Sequence, residues 1–198
     1  MAIYASDPDA GLPQLKPNVP RIIESILFVI GEAIKRGQPA TKYEIAKAIF
    51  IADKRHLEAF GRPITYDNYV AMENGPVPSL TLDILQPSFN WGRIGGKGPL
   101  WTTRPAPRGG RNAIEYIEPT RRANLERLSE TDVELLRSAL VDVQAMGFHK
   151  TRDWTHRDPA YIKAWAKRGD AKRKMIDYRD LPADEGLISD LIHASHHI

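Results

Sequence analysis

From residue 22 the chain repeats apolar positions at helical spacing. Ile22, Ile23, Ile26, Leu27, Ile30, Ala33 and Ile34 fall on one face. Pro20 suits a first turn, and Gly37, preceded by Lys35 and Arg36, supplies a stop. A second stripe, Ile45, Ala48, Ile49 and Ala52, follows a Thr41/Glu44 capping box and predicts a helix ending near Phe60 with Gly61 as its cap. These two helices are expected to pack as an antiparallel pair.

The period then changes. Pro63-Ile64-Thr65-Tyr66 and Tyr69-Val70-Ala71-Met72 read as short extended runs. Asn74-Gly75-Pro76-Val77-Pro78 reads as a rigid turn, and Ser79 as the cap of a short helix reaching about Gln86. Residues 91–99 form a glycine-rich loop. Leu100–Arg104 and Ala113–Glu118 read as the strands of a hairpin, joined by the proline- and glycine-bearing connection PAPRGGRN. A further helix starts at Ser129, with Asp132 placed to complete its cap. It buries Val133, Leu136, Leu140 and Val143 and ends at Gly147. Short helices follow around 151–156 and 159–168, and Leu187, Ile188, Leu191 and Ile192 predict a last amphipathic one. The order of elements predicts an α+β fold, a mostly helical single domain with a small antiparallel β-sheet or hairpin. Residues 1–19 lack periodicity and read as an arm, a disordered tail or an ordered strap along a partner. Residues 20–168 form the domain, and 169–198 a C-terminal extension with a short helix.

Composition narrows the picture. A chain of 198 residues is long enough to bury a core without staples. It has no cysteine, which excludes disulfides, thiolate metal sites and cysteine nucleophiles. The longest apolar stretch, Ile22–Ile34, is interrupted by Glu24, Ser25, Gly31 and Glu32, so no membrane span is expected. The start MAIYASDPDAG lacks the basic and apolar regions of a secretion signal, and the expected location is cytoplasmic. The net charge of +3 is unevenly spread: Arg93–Arg111 holds five basic residues and no acid. Such a patch can meet phosphate or an acidic protein surface, though a solvated basic loop is the plainer reading.

Few residues group in a way that carries chemistry. Gly92–Gly98 is glycine-rich but lacks the closing Lys-Ser/Thr pair of a phosphate loop. His193, His196 and His197 have no carboxylate partner nearby and read as a polar C-terminus rather than a metal site. Asp53 and His56, three apart on the second helix, are neighbours. An acid–base pair is one reading; a hydrogen-bonded brace for the following turn is favoured, because no nucleophile lies nearby in sequence. Trp101 reads as core, and Trp154 and Trp165 as packing between the late helices.

Two blocks carry a resemblance. The first is Ala48-Ile49-Phe50-Ile51-Ala52-Asp53-Lys54-Arg55-His56-Leu57, then Phe60-Gly61-Arg62-Pro63-Ile64-Thr65, then Tyr69 through Asn74-Gly75-Pro76-Val77-Pro78-Ser79. The second starts at Leu128-Ser129-Glu130-Thr131-Asp132 and leads to Thr155-His156-Arg157-Asp158-Pro159-Ala160-Tyr161. Together they resemble the SocA-like Panacea domain of antitoxins and frame roughly residues 20–168. The resemblance implies a bacterial or phage-borne antitoxin, with a cognate toxin encoded by a neighbouring gene as its partner and no cofactor, metal or catalytic residue. It also admits an AAA+ protease of the ClpXP type as a second partner. On this reading the contact surface is Arg62, Pro63, Thr65, Tyr69, Gly75, Pro76, Val77 and Pro78, whose prolines lower the ordering cost of binding. Arg93 and Arg104 of the basic loop steer an acidic toxin surface, and Asp53, His56, His156 and Asp158 brace the scaffold. Two alternatives stand beside it. One is a nucleic-acid-binding regulatory module with a winged-helix-like surface, which is not favoured. The other is a hydrolase built on Asp53, His56 or His156.

Overall fold

The computed structural model describes residues 9, 11–108, 110, 113–181 and 185–197. Among these, the helices are α1 (Val19–Lys35), α2 (Lys42–Phe60), α3 (Ser79–Ile84), α4 (Glu130–Thr155), α5 (Pro159–Ala166) and α6 (Glu185–Ser195). The strands are β1 (Ala40–Thr41), β2 (Tyr69–Met72), β3 (Gly75–Pro78), β4 (Trp101–Pro105), β5 (Ile114–Pro119) and β6 (Arg173–Met175). The fold is α+β, as the pattern predicts.

Local signals set the long helices. Asn18 caps α1 by accepting from the Arg21 N–H at 3.1 Å. Reciprocal capping boxes open α2, through Thr41 and Glu44, and α4, through Ser129 and Asp132. Gly147 has φ 68° and ψ −178°, a backbone conformation suited to glycine, and breaks α4 before helix resumes toward Thr155.

The expected pairing of the first two helices needs correction. α2 touches α1, but its main packing is with α4. Every residue from Ile45 to Asp53 is buried, so α2 is covered all round and draws neighbours from distant parts of the chain. The core is one cluster that includes Ile22, Ile26, Ile49, Tyr116, Leu136 and Leu140.

Two three-stranded antiparallel sheets flank the helices, in the orders β1-β5-β4 and β3-β2-β6. The β4–β5 hairpin is the one the sequence predicts, with an irregularity between Thr102 and Thr103. Asn74–Pro78 is only half a turn. The chain reverses at Glu73 and Asn74, and Gly75–Pro78 pairs along β2 as an edge strand, where proline is tolerated. Pro63–Tyr66 is a turn rather than an extended run, and Tyr66 there has a left-handed φ of 56°. Strand β6, from residues expected to form an extension, pairs with β2 as Val70 opposite Met175. No helix among the described residues is long and apolar enough to cross a membrane.

Candidate partner interface

The turn after α2 hangs on buried carboxylates. Asp53 has no exposed surface. One of its oxygens accepts from the Ile64 and Thr65 N–H groups at 2.8 and 2.9 Å. The other accepts from the Thr65 hydroxyl and from the Tyr69 hydroxyl, the latter at 3.0 Å. Burial pushes the Asp53 carboxyl up to about 6, against the opposing pull of these donors. Asp67 is equally enclosed and accepts from the Leu80 N–H, the Thr81 N–H and the Thr81 hydroxyl at 3.0, 2.7 and 2.8 Å. Asp67, and not Ser79, therefore caps α3, whose first residue makes no side-chain cap. Left-handed Tyr66 lies between Asp53-bound Thr65 and Asp67, in a conformation that costs a non-glycine residue about 1–2 kcal/mol.

His56 reaches the same turn from the next helical turn of α2. Its Nδ1 donates to the Arg62 carbonyl at 2.8 Å. Its Nε2 lies 3.1 Å from Thr131 Oγ1 and 3.0 Å from Asp132 Oδ1. Asp132 also meets Arg21 at 2.5 Å and Arg62 at 3.2 Å. Burial alone would raise the Asp132 carboxyl. The bonds from His56 and the Ser129 N–H, with the Arg21 and Arg62 charges, outweigh it and hold the group well below the usual carboxylate range.

A third cluster lies under the β2–β3 reversal. Lys47, fully buried, donates to the Pro76 carbonyl at 2.8 Å and to Thr155 Oγ1 at 3.3 Å. Burial lowers its amine to about 7. Gly75 closes over it with φ 95°. A Cβ there would stand 2.5 Å from Lys47 Nζ and 2.7 Å from Thr155 Oγ1. His156 stacks on Tyr161 with centroids 4.7 Å apart, Tyr161 on Trp165 at 5.9 Å, and Arg168 caps the Trp165 ring at 3.8 Å. Desolvation, then the Lys47 and Arg152 charges, hold the His156 ring below its usual value. Asp158 caps α5 by accepting from the Ala160 and Tyr161 N–H groups, and it pairs with Lys54.

The predicted contact residues are mostly interior. Pro63, Thr65, Tyr69, Gly75, Pro76, Val77 and Pro78 are all buried, and Arg62 is half-buried on Asp132. Both ends of the chain cover them. Leu15 exchanges hydrogen bonds of 2.9 Å with the Asn68 side chain in both directions. Tyr178 packs on Tyr69 and donates to the Asp67 carbonyl at 2.5 Å. The described arm is thus a strap along its own scaffold; its residues 1–8 and 10 lie outside the described residues. In the basic loop Arg93 is exposed, while Arg104 pairs with Glu115 at 2.5 Å. Arg111 lies outside the described residues. Among the described residues no group of three metal-ligating acids and histidines converges.

Two concave regions among the described residues stand out here. One is a groove of about 1010 Å³ between Lys42, Tyr43, the Glu73–Gly75 reversal, Phe148 and the Trp165–Lys172 segment. The other surrounds Trp154, which is 44% exposed and so does not pack between the late helices as expected. Trp165 packs within its own helix, on Tyr161. No sequence signal marks Trp154 as exposed, because its neighbours are brought together by α2 and the break at Gly147.

A family model described as "Antitoxin SocA-like, Panacea domain" matches residues 45–162. The chain belongs to this Panacea antitoxin family. No curated protein and no solved structure matches it. The Panacea segment contains the Asp53, Asp67 and Asp132 centres together with Lys47, Gly75 and the Trp154 surface. The strap residues Leu15 and Asn18, strand β6 and Tyr178 lie outside the matched segment.

Proposed function

We propose that the chain is an antitoxin that binds and neutralises a toxin protein encoded by a neighbouring gene, by direct contact and without catalytic chemistry of its own. The family match over residues 45–162 carries this reading. The geometry supports it. Asp53 and His56, two of the three residues the hydrolase reading would use, are enclosed and engaged with the protein's own backbone and side chains, while the third, His156, is half-buried and stacked on Tyr161. What such a scaffold offers outward is a pre-ordered surface, and pre-order lowers the entropic cost of association.

Co-expression with the neighbouring gene's product tests the reading. Restored growth together with a stoichiometric purified complex is the expected result. Restored growth with loss of the partner, reversed when the host AAA+ protease is deleted, would assign delivery to the protease instead. Neither rescue nor complex would overturn the antitoxin reading.

A further inference from the structure

We propose that the partner is gripped at Trp154, by an acidic protein surface that sends one apolar side chain into the hollow beside the indole. This rests on the antitoxin reading above. Trp154 projects from the segment of α4 beyond the Gly147 break. On one side lies a hollow of about 280 Å³, lined by Phe50, Ile51 and Pro159. On the other is one of about 390 Å³, lined by Ala145 and Met146. Arg55 and Trp154 line both hollows and form a ridge between them. Tryptophan and arginine are the residue types that most often dominate binding energy at protein interfaces. The first hollow falls below the roughly 300–1,000 Å³ of small-molecule pockets and suits an inserted side chain.

Charge decides what kind of surface fits. The carboxylates of this face already have cations: Glu58 and Asp158 pair with Lys54, Asp142 with Arg55, and Asp153 with Arg152. Lys150 and Arg157 are exposed, and neither forms an ion pair among the described residues. The complement is therefore anionic. A phosphate backbone serves this face less well, because it has no apolar side chain to place in the hollow beside the indole. The lining residues of both hollows lie within the matched segment. The larger groove instead takes Lys42, Tyr43 and residues 165–172 from outside that segment and presents the exposed acids Glu73 and Asp170 beside its cations.

The test titrates the purified neighbouring-gene product into the full-length chain. Trp154→Ala is expected to weaken Kd at least about tenfold. Lys150→Glu/Arg157→Glu is expected to weaken it comparably and to flatten its salt dependence, since rim charges act through screened attraction. Both variants should remain folded, Lys150→Glu/Arg157→Glu melting with the wild type and Trp154→Ala a few degrees below it, because about half of the indole is covered. Phe148→Ala/Arg168→Glu, in the large groove, should leave Kd within about twofold. A wild-type complex insensitive to both Trp154-face variants, or sensitive only to the groove variant, would overturn the proposal and leave the antitoxin reading standing. A DNA duplex that binds the wild type but not Lys150→Glu/Arg157→Glu would reassign the face to phosphate. Absence of any wild-type complex would remove the antitoxin reading and this proposal with it.

Discussion

Lys47 and Asp53 sit six residues apart on α2, and neither has exposed surface. Among the described residues neither faces a partner of opposite charge, yet they are accommodated differently. Asp53 gathers four donors from one turn. Lys47 reaches two acceptors, a carbonyl and a hydroxyl. The carboxylate organises backbone that would otherwise be unsatisfied, whereas the ammonium fills a space closed by Gly75. A buried charge can thus be a keystone or a tolerated guest, and the number of groups depending on it separates the two.

The comparison can be broken by substitution. Asp53→Ala strands four buried donors and is expected to cost about 4 kcal/mol in urea unfolding, against about 1 kcal/mol or less for Lys47→Met. Equal losses would break the distinction. Gly75→Ala, which combines positive φ with a clash, is expected to cost about 2–3 kcal/mol. In a Lys47→Met background that cost should fall by about 1 kcal/mol, which a double-mutant cycle reads directly.

The pH slopes sharpen the contrast. Lys47 in the folded chain is lowered to about 7 from its ordinary 10.5, so between those values the folded state binds fewer protons. Raising pH through that window should stabilise the wild type relative to Lys47→Met by about 1 kcal/mol or more. Asp53 is raised to about 6 from 3.8, so the folded state binds more protons between them. Lowering pH from 6 toward 3.8 should therefore stabilise the wild type relative to Asp53→Asn. Melting curves across pH 4–10 check both signs. The smallest effect is expected for Ser79→Ala, within about 0.5 kcal/mol, because Asp67 holds the start of α3.

Much of the fold was legible. The Thr41/Glu44 and Ser129/Asp132 boxes and the stop at Gly147 are local signals, and they mark the long helices because capping needs only neighbours in sequence. Strands β1 and β6 have two and three residues, too short for alternation to register. The site was harder to read. The spacing of Asp53 and His56 drew attention to the turn after α2, but the third member, Asp132, is reached only because α2 packs on α4. Proline-rich turns looked like surface because their covers, Leu15 and Tyr178, come from opposite ends of the chain. Nothing in the sequence singles out Lys47, because Gly75 and Thr155, which close over it, are far away along the chain.

The pairing of β6 with β2 also sets an order in time. A ribosome delivers Tyr69–Met72 long before Arg173–Met175, so the central strand of that sheet waits for its second partner while the intervening segment is made. Tyr178, which closes over Tyr69 and the Asp67 carbonyl, emerges later still. A message cut short before that codon yields a chain in which Tyr69 and the Asp67 carbonyl lack this cover, so the middle of the fold is closed only once residues far downstream have been made.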